Sequence, residues 1–173
     1  MAEILISSQF TEVLDLLENG SGHVFVTGKA GTGKSTLLQH FRLQTAKPLV
    51  VLAPTGVAAV NVAGETIHSF FHFQPNVTIA EARKAAQFAK NKKLYQKLEL
   101  VIIDEISMVR SDLLDCVDEF LRLVRKNNQA FGGVRMIFFG DLYQLPPVVS
   151  KNEYQTFKTL YQSEWFFDAT VMH

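Results

Sequence analysis

The run Gly28-Lys29-Ala30-Gly31-Thr32-Gly33-Lys34-Ser35 fits the phosphate-binding pattern G-x-x-x-x-G-K-[ST] at every fixed position. Its flanks constrain the fold as strongly as the motif does. His23-Val24-Phe25-Val26-Thr27 reads as a short buried strand. Thr36 to Arg42 reads as a helix with Leu37, Leu38 and Phe41 on its apolar face. In a strand–loop–helix unit the glycines allow a tight turn. Successive amides from Gly28, Ala30, Gly31, Thr32 and Gly33 through Thr36 then point at one place, where triphosphate oxygens sit at a helix N-terminus. Lys34 would reach the β- and γ-phosphates, and the Ser35 hydroxyl would ligate magnesium. A glycine-rich turn that binds nothing is the bland alternative, and the matched flanks argue against it.

The rest of the chain alternates helices with buried strands. Residues 4 to 18 carry a helical period with Phe10, Val13, Leu14 and Leu17 on one side, Ser7 or Ser8 as a cap, and Asn19-Gly20-Ser21-Gly22 as a stop. Leu49 to Ala53 is a second strand, apolar throughout as in a parallel sheet. A turn and a small-residue helix follow from Pro54 to Asn61, and Gly64 to Phe71 reads as loop-like. A lysine- and arginine-rich helix is expected from Ile79 to Leu98, and a third strand from Glu99 to Glu105. Ser111 to Lys126 is an amphipathic helix with charges that suit its dipole. A fourth strand, Val134 to Phe139, runs into Gly140-Asp141-Leu142-Tyr143-Gln144-Leu145-Pro146-Pro147, and an aromatic, mostly helical or irregular tail closes the chain. The pattern predicts an α/β domain with a mainly parallel sheet flanked by helices and functional loops at the carboxyl ends of its strands.

Those strand ends carry the candidate chemistry. Phosphoryl transfer needs a carboxylate near magnesium and a group that orients the attacking water. Asp104 suits the first role and Glu105 the second, although two acids ending a strand can also simply meet solvent. After the fourth strand, Gly140-Asp141 and Gln144 offer a polar side chain to the γ-phosphate or its water; the alternative is a turn stiffened by Pro146-Pro147. Between Pro54 and Phe71, Thr55 and Ser69 can donate to phosphate, while His68, Phe70 and Phe71 can present faces to bases. For the phenylalanine pair, core is the commoner fate, and a basic helix such as Arg83 to Lys97 is more often a solvated face.

Composition sets limits. At 173 residues, 47% hydrophobic and 20% charged, the chain suits one soluble domain. No apolar run is long enough to span a bilayer, so no membrane partner and a cytoplasmic or nuclear setting are expected. Cys116 is the single cysteine, which excludes an intrachain disulfide and a cysteine zinc site, and it falls in an apolar helical pattern. Seventeen basic residues balance seventeen acidic ones, so net charge gives no argument for nucleic acid and leaves room for a local basic track.

Five segments in order resemble successive motifs of the Pif-type (petite integration frequency) DNA helicases: Gly28–Ser35, Ala53–Ala59, Thr66–Phe71, Ile103–Met108 and Gly140–Val148. Glu119–Arg122 through Phe131-Gly132-Gly133 resembles the stretch that sets this family apart from RecD-like relatives. The resemblance implies a RecA-like P-loop domain that binds ATP or ADP with Mg2+ and belongs to a superfamily 1B enzyme moving 5′ to 3′ on single-stranded DNA. By the same resemblance Lys34, Ser35, Asp104, Glu105 and Gln144 serve the nucleotide. Thr55 and His68 touch the DNA backbone, with Asn61 and Phe70 beside them. Gln9 is the candidate for the family's adenine-reading glutamine, although its spacing to Gly28 is longer than the family's. The wording resembles bacterial members, implying a cytoplasmic, nucleoid-associated protein that acts as a monomer. The resemblance also implies a second RecA-like domain, carrying the arginine fingers and half of the DNA track, outside these 173 residues. The rival readings are a stand-alone P-loop ATPase switch acting through a protein partner, and a nucleic-acid binding module with a relic nucleotide site.

Overall fold

Runs of β-branched, leucine and phenylalanine residues leave the strands without a solvent face, so the sheet has to be covered on both sides. The protein is described here by a computed structural model covering residues 8–173. Five strands, β1 (Val24–Thr27), β2 (Leu49–Ala53), β3 (Glu65–Thr66), β4 (Leu100–Ile103) and β5 (Arg135–Gly140), form one sheet in the order β1-β5-β4-β2-β3. Every pairing is parallel, with Thr27 opposite Gly140, Leu52 opposite Ile103 and Ala53 opposite Thr66.

The two-residue period of β4 and β5 divides the core. Leu100, Ile102, Ile137 and Phe139 face α1 (Ser8–Asn19) and α2 (Lys34–Gln44), where Leu17, Leu37, Leu38 and Phe41 meet them. Val101, Ile103, Met136 and Phe138 face the opposite layer. That layer holds α4 (Ile67–Phe71), α5 (Ile79–Phe88) and α7 (Ser111–Arg125), while α3 (Gly56–Asn61) follows β2. Cys116 is core, as its pattern predicts, and burial with nearby carboxylates pushes its thiol up to about 12. Among the described residues no helix is long and apolar enough to cross a membrane.

Two expectations need correction, and a third lies outside the described residues. Gly64 to Phe71 is not a loop: it supplies the edge strand β3 and the short helix α4, capped by Thr66, whose hydroxyl accepts from Ser69 N. Gly64 permits this because any Cβ there would lie 2.4 Å from the Val51 carbonyl oxygen. The expected helix from Ile79 to Leu98 is broken into α5 and α6 (Lys92–Lys97). Ala82, Ala86 and Ala89 are buried on one helical stripe, and an unbroken helix would next turn Lys93 and Gln96 inward. The break instead buries Tyr95 and Leu98. Ser7, one of the two expected caps of the first helix, lies outside the described residues.

Charged side chains tie the layers together. Asp118 accepts from Phe131 N at 2.5 Å and pairs with Arg122, holding Phe131 and Gly132 in left-handed backbone before β5. Arg125 donates to the carbonyls of Tyr95, Gln96, Leu98 and Gly132. Arg135, at the start of β5, donates to Leu16, Leu17 and Gly22 at 2.6–2.8 Å, satisfying the carbonyls at the end of α1. Arg135→Ala removes three charge-assisted bonds and should destabilise the fold by about 2 kcal/mol. Urea unfolding should show a lower midpoint with an unchanged slope, whereas an unchanged midpoint would contradict this role for Arg135.

Candidate nucleotide and nucleic-acid site

The parallel sheet delivers the loops after β1, β2, β4 and β5 to one edge. After β1 the chain turns through Gly31 (φ 78°) and Gly33 (φ 88°), a backbone that side-chain-bearing residues rarely adopt, and α2 starts at Lys34. The first-turn amides of α2 have no partner within the helix and open onto the loop. Thr32 closes the turn, its amide and hydroxyl both donating to the Lys29 carbonyl. The Lys34 ammonium lies across the loop, donating to Gly28 O at 2.6 Å and Lys29 O at 3.0 Å. Ala30 and Ser35 are exposed and Thr36 is half-buried. Gln9, Phe10 and Val13 of α1 line a cleft of about 310 Å³ with Gly28, Thr32, Gly33 and Lys34. Gln9 is thus beside the loop despite its long sequence spacing.

After β4, Asp104 extends the ladder by one bond, its amide donating to Leu52 O at 2.9 Å, and its side chain is 8% exposed. Glu105 adopts left-handed backbone (φ 52°), a conformation that costs a non-glycine residue energy and collects at functional sites. Burial raises the Asp104 carboxyl, offset by a backbone hydrogen bond and by Lys34. Burial raises Glu105 as well, reinforced by the neighbouring charges of Asp104 and Asp141 and opposed by Lys34. After β5, the buried Asp141 forms a local turn: its carboxylate accepts from Tyr143 N and its carbonyl from Gln144 N, each at 3.0 Å.

Gln144 and Glu105 share a second cleft, of about 630 Å³, with Thr55, Asn61, Met108 and Tyr143. Thr55 caps α3, its hydroxyl oxygen accepting from Ala58 N at 3.2 Å, which leaves the hydroxyl proton free to donate. Asn61 is exposed at the end of α3. His68, half-buried on α4, stands outside that cleft, and burial lowers its pKa, so it is neutral near neutral pH. The phenylalanine pair is core, the commoner of its two fates, so the DNA-side place that the resemblance implies for Phe70 is not supported: Phe70 is 7% exposed and Phe71 fully buried, the two rings edge-to-face with each other, Tyr95 edge-on to Phe70 and stacked on Phe71. Short helix α4 turns both rings inward to cover β2 and β4. Asp141, expected beside Gln144 as a polar group for the γ-phosphate or its water, uses its carboxylate in this turn, and the exposed Tyr143 carried no expected role. The G-D-x-x-Q spacing is the signal for Asp141, since aspartate two residues before an amide forms such turns.

A glycine loop opening a helix after β1, an amide after the neighbouring strand β5 and a buried carboxylate after β4, the next strand, define a RecA-like P-loop nucleotide-binding domain. Residues 6–172 match the model of the PIF1-like helicase family, and the chain belongs to that family. The Saccharomyces cerevisiae ATP-dependent DNA helicase PIF1 is 38% identical over 176 residues, covering 98% of this chain and 20% of the relative. The RRM3 helicase of the same yeast is 36% identical, covering 93% of this chain and 23% of the relative. A Bacteroides Pif1 helicase solved with ADP-AlF3 and single-stranded DNA superposes with a TM-score of 0.91 at 41% identity, over 98% of this chain and 40% of that one. The chain thus spans about a fifth of the length of these curated relatives.

A carboxyl that holds its proton more tightly when folded than when unfolded loses stability as pH rises from its ordinary range through its folded value. Glu105→Gln removes that cost. The variant should melt above the wild type near neutral pH, with the gain closing as pH falls below the ordinary glutamate value of 4.5. A variant that melts no higher at neutral pH in scanning calorimetry would contradict the shift.

Proposed function

We propose that this chain is the nucleotide-binding first motor domain of an ATP-dependent helicase that moves 5′ to 3′ on single-stranded DNA. The observation that carries the reading is the cleft shared by Glu105 and Gln144 with Thr55 and Asn61. It joins groups suited to phosphate chemistry to groups suited to a DNA backbone. Related structures support the same reading: Bacteroides Pif1 was solved with ADP-AlF4 and with single-stranded DNA.

The residues present fit a magnesium nucleotide. Asp104 is a buried carboxylate beside the loop that forms no ion pair with another side chain among the described residues, and Ser35 offers a hydroxyl at the helix start. The described residues include no cluster of three or more carboxylates, histidines or cysteines that could hold a metal. That suits an ion completed by phosphate and water oxygens rather than by a protein cage. Ser35 and Asp104 would hold Mg2+, which neutralises developing phosphate charge. Lys34 would exchange its loop carbonyls for phosphate oxygens, and Gln9 would meet the adenine. Glu105, its carboxyl raised toward neutrality, would accept a proton from the attacking water that Gln144 orients.

A second RecA-like domain would close over this edge. Val57, Tyr143 and Leu145 line the shared cleft and stand exposed, an apolar rim of the kind such a partner covers. Supporting an external arginine finger, all six arginines of the chain are committed elsewhere. Arg42, Arg125 and Arg135 are held by carbonyls, and Arg83, Arg110 and Arg122 by carboxylates. The whole protein is proposed to act as a monomer in the cytoplasm, at the nucleoid if its source is bacterial.

In calorimetry the 173-residue chain should bind Mg-ADP, and Lys34→Ala should abolish detectable binding; equal affinity would overturn the loop assignment. An arginine across the cleft is worth about 10³–10⁵ in rate. The chain alone should therefore hydrolyse ATP very slowly, with no acceleration by single-stranded DNA. Joined to its second domain, it should gain both rate and DNA stimulation. Fast, DNA-stimulated turnover by the 173 residues alone would favour a self-sufficient ATPase instead.

A further inference from the structure

We propose that the basic segment formed by α5 and α6 is an additional single-strand contact surface, with lysines 84, 90, 92 and 93 on phosphates and Phe88 against a base. It rests on the reading of α3 and α4 as DNA-facing and lengthens that path. From Arg83 to Leu98 there are six cations and no acid, while the rest of the chain holds eleven basic against seventeen acidic residues. A neutral protein thus gathers its positive charge in one place.

Most cations elsewhere are bound to carbonyls or carboxylates, as in Arg110, Arg122, Arg125 and Arg135. In this segment only Arg83 is so held, by Glu119 at 2.7 Å. Among the described residues, the side chains of Lys90, Lys92, Lys93 and Lys97 make no hydrogen bond or ion pair. Lys84 has Glu81 nearby, but that carboxylate already accepts from the amide and hydroxyl of Thr78.

The break between α5 and α6 falls beside Phe88, which is 79% exposed. An exposed aromatic among unpaired lysines supplies both requirements of single-strand binding, a cationic track and a stacking face. Duplex bases are already stacked and would offer Phe88 nothing. The segment is also fixed to the proposed DNA path, since the Tyr95 hydroxyl of α6 donates to Phe70 O of α4 at 2.7 Å and the two rings pack edge-to-face at 5.3 Å. Helix α4 carries His68.

The test is fluorescence anisotropy with the 173-residue chain and fluorescein-labelled oligo(dT) of about 8 and about 24 nucleotides, titrated with salt. The longer strand should bind more tightly than the shorter. A Lys90→Ala, Lys92→Ala, Lys93→Ala triple variant should lose about tenfold on the longer strand, and its slope of log K against log salt should fall by about 2. Phe88→Ala should lose about tenfold on the same strand without changing that slope. Replacing the three lysines by arginine should restore wild-type affinity, which excludes misfolding as the cause. Unchanged binding of the longer strand by the alanine variants would overturn the proposal, as would an equal loss on a duplex of the same length. The shorter strand reports the motif path separately. If Thr55→Ala with His68→Ala leaves its binding intact, the DNA-facing reading of α3 and α4 fails, whatever the lysine variants do.

Discussion

Parallel pairing across all five strands turns every carboxyl end toward one edge, and burial of both faces prevents any strand from slipping by a residue. A slip of β4 would exchange Val101 and Ile103 for Leu100 and Ile102 against the wrong helices. It would also carry Asp104 out of reach of the loop. The register of the core therefore sets the distances of the chemistry, and the glycine loop, the carboxylates and the sensing amide need no scaffold of their own.

On that edge the electrostatics are deliberately unbalanced. Burial disfavours the charge of Asp104 and Glu105, Asp141 adds a further negative charge beside Glu105, and Lys34 is the counter-charge that acts on both Asp104 and Glu105. Lys34 meanwhile rests on carbonyl oxygens, so its ammonium is desolvated only in part and exchanges one set of oxygens for another at modest cost. Glu105 combines a disfavoured backbone with a disfavoured charge. Both features oppose stability, and both suit the proton-accepting role proposed for Glu105.

Much of this was legible in the sequence because the information is local. The loop, the strand-end acids and the small-residue helix after Pro54 depend on glycine conformation, apolar runs and capping, all of which act over a few residues. Where the reading failed, distant contacts decided. Strand β3 exists because Gly64 comes against Val51. The division of α5 from α6 follows from which side chains α7 can bury. Gln9 stands nineteen positions before Gly28, yet the layer packing of α1 brings it to the loop. No spacing rule carries that information.

The attachment of α1 has a mechanical meaning. Arg135 grips the carbonyls at Leu16 and Leu17, near the opposite end of the sheet from the loop, while Gln9 and Phe10 reach the nucleotide cleft about 10 Å further along the helix. The helix is thus a cantilever, clamped at its root and loaded at its tip. A small tilt about the clamp would open or shut the base end of the cleft and leave the phosphate cradle still. If Gln9 meets the adenine as proposed, grip on the base and grip on the phosphates would be released one after the other.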